Sequence, residues 1–120
     1  MNEGKEKDLK VRTKAFALRI IKLYSAMPKT TEAQVTGKQI IRSGTSVGAQ
    51  YREACRARST AEFISKIQSG LQELEETIYW LELLVEAEII EAEKLKNLQN
   101  EAEELISILV ASVKTAKLRK

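Results

Sequence analysis

"IIRSGTSVGAQYREA", residues 40–54, has the spacing of an amphipathic helix and yet carries Gly44 and Gly48, with Gly37 shortly before it. Each glycine costs a helix interior roughly 1 kcal/mol relative to alanine. At about 100° per residue, Ile40, Gly44, Val47, Tyr51 and Cys55 fall on one face, with Ile41 and Gly48 at its edge. The glycines therefore sit on the apolar side. There they let another helix backbone approach closely, and tighter packing offsets the propensity cost. A phosphate-cradling loop is the competing reading of "RSGTSVG". It would need a preceding strand and a Lys-Ser/Thr step into a helix, and neither is present. The stretch predicts a helix built for a close crossing, and the rest of the chain follows from it.

Upstream, Leu9, Phe16, Ile20, Tyr24 and Met27 form one face of a first helix, which Pro28 ends. Thr31 and Gln34 read as a capping box opening the second, and Ser59 and Glu62 as one opening the third. The third carries the stripe Phe63, Ile67, Leu71, Leu74, Ile78, Leu81 and Val85. A break is placed near Glu88–Ile90, and a fourth helix follows with Leu95, Leu98, Ala102, Leu105, Leu109 and Val113. The predicted helices cover residues 7–26, 31–58, 60–87 and 91–117. With short turns between them they give an all-α, antiparallel up-down-up-down four-helix bundle in one domain spanning residues 1–120. One proline and five glycines in 120 residues suit long helices better than many-turned β structure.

The opposite face of the second helix holds Lys38, Arg42, Thr45, Ala49, Arg52 and Arg56, a row with four cations and no acid. Two readings stand: a solvated face paired with acids of the third helix, or a track for a phosphate backbone. Charge is unevenly shared, +8 over residues 1–60 and −5 over residues 61–120 from the Lys, Arg, Asp and Glu positions. One half of the chain could attract a polyanion that the other would repel. A third row, Gln39, Ser43, Ser46, Gln50 and Glu53, predicts a polar seam against a neighbouring helix, with a hydrogen-bond network where it is buried. Apolar residues are also left over. Val11, Leu18 and Ile21 lie opposite the core face of the first helix, and Tyr79, Trp80 and Leu83 point away from that of the third. Such surplus faces predict self-association. Broad helix faces packing on both neighbours would be the plainer account.

Catalytic chemistry has little to work with. There is no histidine, so His-based nucleophile activation, acid–base catalysis and metal ligation are excluded. Glu73, Glu75 and Glu76 fan around their helix, and Cys55 faces the core. No enzyme, cofactor or metal is expected. The single cysteine cannot form an internal disulfide, "MNEGKEKDLKVR" lacks the apolar core of a signal peptide, and no apolar run is long enough to span a membrane. The expected location is cytoplasmic.

The stretch "QIIRSGTSVGAQYREACRARSTAEFISKI", followed by "LEETIYWLELL", resembles the small four-helix bundle proteins known as 23S ribosomal RNA intervening-sequence proteins. Family members resemble Gln-x-x-Arg-Ser-x-x-Ser-x-x-x-Asn-x-x-Glu here; Gln39, Arg42, Ser43, Ser46 and Glu53 match, as do Glu76, Tyr79 and Trp80 further on. Gln50 stands where asparagine is usual, which keeps the amide but lengthens its arm. The resemblance implies a homopentamer of antiparallel bundles, encoded in other members within insertions of bacterial 23S rRNA genes. Similar bundles act as accessory proteins of diversity-generating retroelements, binding nucleic acid and a reverse transcriptase. No catalytic residue carries over. Two functional expectations follow: a non-enzymatic oligomer that binds RNA or DNA through Lys38, Arg42, Arg52 and Arg56, or a protein-interaction module with no nucleic-acid role.

Overall fold

A computed structural model describes residues 3–119. Four helices follow one another as α1 (Glu3–Ser25), α2 (Thr31–Cys55), α3 (Thr60–Glu86) and α4 (Ala92–Leu118), with no strand among the described residues. They form a four-helix bundle with principal extents of 48 × 22 × 20 Å. The central pair, α2 and α3, packs most extensively; α1 lies on α2, α4 lies on α3, and α1 and α4 touch least.

The glycines of α2 face α1. A Cβ added at Gly44 would lie 2.7 Å from Cγ1 of Ile20, and one at Gly37 would lie 2.5 Å from the Tyr24 ring. One at Gly48 would meet Thr13 Oγ1 at 3.2 Å. The close crossing expected from residues 40–54 is thus α1 against α2. Thr13 is fully buried in it and returns its hydroxyl to the Leu9 carbonyl at 2.7 Å.

The core stripes of α1 and α4 fall where their spacing puts them. Leu9, Phe16, Ile20 and Met27 are buried, with Tyr24 of the same face partly covered, and Leu95, Leu98, Ala102, Leu105, Leu109 and Val113 are buried. On α3 the stripe turns about its axis. Ile64, Gly70, Thr77 and Leu84 are buried with Ile67, Leu74 and Leu81, while Phe63, Leu71, Ile78 and Val85 are only partly covered. The cause is the dominant contact with α2, which pulls the centre of burial toward that side. Trp80, expected to point outward, is partly buried and packs against the core.

Helix ends depart from expectation in instructive ways. The cap of α2 is Thr30, not Thr31: its hydroxyl accepts from Ala33 N at 3.3 Å, while Gln34 Nε2 donates to the Pro28 carbonyl. Ser59 caps α3 by accepting from Glu62 N at 3.1 Å, and the Glu62 carboxylate accepts from Arg58 N rather than from Ser59. α2 stops at Cys55, short of residue 58, because residues 56–59 must turn the chain into the extended Ser59 cap. α1 begins four residues before its predicted start. Between α3 and α4 the chain makes a Schellman turn, with Ile89 N donating to Leu84 O and Glu88 N to Val85 O. Its left-handed position is Glu88, at φ 59°, where glycine is usual.

Candidate nucleic-acid interface

The cationic row of α2 divides into parts with different surroundings. Lys38, Arg42, Arg52 and Arg56 are all exposed. Arg42 is bound to α3: Nη2 reaches Glu76 at 2.7 Å and Nη1 reaches Glu73 at 3.4 Å. Its charge is met within the chain, which is the outcome the solvated-face reading describes. Lys38 stands about 21 Å along the helix from Arg52, at 1.5 Å per residue. Neither it nor Arg52 or Arg56 has an ion-pair partner among the described residues.

Arg52 and Arg56 do not stand alone. Lys10 of α1 joins them around one shallow depression of about 300 Å³, with Glu53 on its edge. The acids nearby are already engaged, Glu53 with Lys66 at 2.7 Å and Glu6 with Lys10 at 3.1 Å. Four cations (Lys10, Arg52, Arg56, Lys66) thus face two carboxylates (Glu6, Glu53), leaving the patch net positive. On α1 the cations Lys10, Arg12, Lys14, Arg19 and Lys22 are spread around the helix, and what singles out Lys10 is the antiparallel pairing of α1 with α2. Arg12, another of those cations, is removed from the surface field. Its guanidinium takes both oxygens of Glu101 on α4, at 2.7 and 3.1 Å, and Glu104 at 3.2 Å. The bond to Glu101 raises its pKa further, so it stays charged.

The polar row of α2 resolves into separate links rather than a continuous network. Ser43 and Thr77 are buried and share a 2.7 Å hydrogen bond, and Glu53 pairs with Lys66. Gln39 accepts a long 3.4 Å bond from Arg42, and Ser46 turns back to the Arg42 carbonyl. Gln50 lies over Gly70, and its buried Oε1 has no partner. Because Thr77 donates to Glu73 O at 2.7 Å, Ser43 is the donor in the shared bond. Thr77→Val therefore strands the Ser43 hydroxyl with only the Ile40 carbonyl at 3.4 Å, and should cost about 1–2 kcal/mol. Ser43→Ala should cost clearly less, since Thr77 keeps its own acceptor. Urea unfolding of both single variants and the double checks the order; equal costs would contradict this assignment of the donor.

The leftover apolar residues differ in exposure. Val11, Leu18 and Ile21 are 59, 57 and 42% exposed on the outer side of α1, and Tyr79 is 55% exposed on α3. Trp80 and Leu83 are partly covered; Trp80 meets Tyr79 edge to face at 5.3 Å, and its buried Nε1 has no acceptor. Among the described residues no group of His, Cys, Asp and Glu could hold a metal ion, and no helix is long and apolar enough to cross a membrane.

The described residues thus form an all-helical bundle with a cationic depression and an exposed apolar stripe on α1. The profile of the 23S rRNA-intervening sequence protein family matches residues 7–111, and the chain belongs to that family. Among solved structures it is similar to a protein of unknown function from the S23 ribosomal protein family of Bacteroides thetaiotaomicron VPI-5482. The two share 41% identity at a TM-score of 0.86, over 92% of this chain and 98% of that one. A search of curated proteins returned no match.

Proposed function

We propose that this protein is a non-enzymatic, homo-oligomeric accessory protein of the cytoplasm that holds nucleic acid, RNA foremost, by its phosphate backbone. The observation that carries the reading is the meeting of Lys10, Arg52 and Arg56 at one depression, where Glu53 is held by Lys66, Lys10 shares its charge with Glu6, and Arg52 and Arg56 have no ion-pair partner among the described residues. Arg52 and Arg56 are the principal contacts and Lys10 completes the cluster. Lys38 adds a distant contact, and Arg42 serves chiefly to tie α2 to α3. Base-specific readout is not part of the proposal, because six aromatic residues offer no stacking platform.

The test is fluorescence anisotropy of a labelled RNA hairpin across a salt series. Three phosphate contacts per protomer give a log–log salt slope of about −2 to −3. The double variant Arg52→Glu/Arg56→Glu should lose about tenfold in affinity at low salt and flatten the slope by about two. Affinity independent of salt, or unchanged in the double variant, would remove the phosphate reading and leave a protein-interaction module.

Assembly is the second part of the proposal, supported by the exposed stripe Val11, Leu18 and Ile21. Light scattering should give a multiple of 13.5 kDa, five by the family resemblance, and Leu18→Glu should return the monomer. A wild-type monomer at micromolar concentration would defeat it.

A further inference from the structure

Below the Arg12–Glu101 clamp, α1 and α4 do not close on each other. A cleft of about 760 Å³ opens there, walled by the start of α1, the α2–α3 turn and the last turns of α4. Its size falls within the range of small-molecule sites, about 300–1,000 Å³. The cause is legible in α4: where a bundle helix would offer large side chains to its neighbour, this one offers Ala111, Ser112 and Ala116. The floor is apolar, formed by Leu9, Phe63, Ile108 and Ala116, which also pack against the core or belong to it.

The rim is cationic. Arg58, in the α2–α3 turn, and Arg119, just past α4, both line the cleft. Neither guanidinium has an ion-pair partner among the described residues, whereas Arg12 and Arg42 are each tied to two glutamates. Lys5 adds a third cation, and Asp8 is the one acid on the rim. An apolar floor does not suit a sugar–phosphate chain, and Asp8 would oppose a second negative charge. One anionic head beside the arginines, with an apolar body laid over Phe63 and Ile108, satisfies both parts of the lining.

We propose that this cleft binds a small amphipathic carboxylate: a single carboxyl group held between Arg58 and Arg119 and an apolar chain on the floor. The cleft shares no lining residue with the depression of Lys10, Arg52 and Arg56, and the proposal does not depend on their role. Decanoate is the probe, titrated by calorimetry into the full-length protein, with decyltrimethylammonium as the matched cation. Decanoate should bind saturably and about tenfold tighter than the cation, from two solvent-exposed charge contacts. Ala116→Phe, which fills the floor, should abolish binding. Arg58→Glu/Arg119→Glu, both at the surface, should reverse the preference while leaving the melting temperature near that of the wild type. No saturable binding, equal binding of anion and cation, or binding unchanged in the double variant would each overturn the proposal. So would a change of oligomer mass in Ala116→Phe, which would assign the cleft to a second copy of the chain.

Discussion

Gly44→Leu should lower the unfolding free energy by about 2–3 kcal/mol, one of the two largest single effects expected in this chain. The cause is the α1–α2 crossing. Ile20 is fully buried, and three of its carbons lie 2.7–3.1 Å from where a Cβ at residue 44 would stand. These atoms lie close to the α1 backbone, so the conflict is relieved only by moving α1 outward. Even Gly44→Ala, which gains about 1 kcal/mol of helix propensity, should come out destabilising. The other glycines set the scale. At Gly37 the obstacle is the partly buried Tyr24 ring, which can swing away by giving up its 3.1 Å bond to Gln34, so Gly37→Ala should cost less. Gly48→Ala meets Thr13 Oγ1 at 3.2 Å and should be near neutral. Gly70→Ala meets nothing closer than 3.7 Å and should stabilise by about 0.5–1 kcal/mol. Denaturant unfolding of the four alanine variants and Gly44→Leu measures the series. A Gly44→Leu protein as stable as the wild type would show that the crossing does not require glycine there.

The same crossing shows how much of the fold the sequence carried. Periodicity placed the glycines on the apolar face and marked all of the α4 core, since its buried residues recur at spacings of three and four even though Ile106, Ile108 and Val110 stand beside them. It misjudged the centre of the α3 stripe, where apolar residues run around much of the helix. Only the larger contact with α2 decides that Ile64, Thr77 and Leu84 are buried rather than Phe63 and Val85. The break before α4 was faint because Glu88 occupies the left-handed position, so the usual glycine signal is missing. Thr30 and Thr31 are both competent caps, and the hydrogen bond to Ala33 chooses the first. The candidate site was legible as a row on one helix but not as a cluster. Arg42 meets glutamates thirty-one and thirty-four positions away, and Lys10 reaches Arg52 and Arg56 from another helix. Contacts of that kind depend on the register between helices, which a spacing argument within one helix does not contain.

On the buried side of α2, Tyr51 and Cys55 give the chain a defined response to alkali. Tyr51 is 1% exposed, and burial raises its pKa, assisted by its bond to Cys55 and the nearby charge of Glu6. Burial raises Cys55 as well, partly opposed by the same bond and by Lys10. Both groups are thus held neutral in the folded chain beyond the pH at which they ionise unfolded, about 8.5 for cysteine and 10 for tyrosine. Above those values the folded state binds more protons than the unfolded one, so stability falls as pH rises. The stabilisation is complete below the unfolded pKa and is lost above it. For Tyr51 the slope approaches about 1.4 kcal/mol per pH unit, which amounts to about 2.3 kcal/mol between pH 10 and 12. Lys66, whose pKa is raised by Glu53, shifts stability in the same direction, but it does so equally in a Tyr51 variant. Urea titrations of the wild type and Tyr51→Phe from pH 7 to 12 isolate the tyrosine. Tyr51→Phe should lose stability more slowly, by up to about 1.4 kcal/mol per unit above pH 10. Parallel curves for the wild type and Tyr51→Phe would mean that the Tyr51 hydroxyl ionises in the folded chain, and that the core around it is open to water.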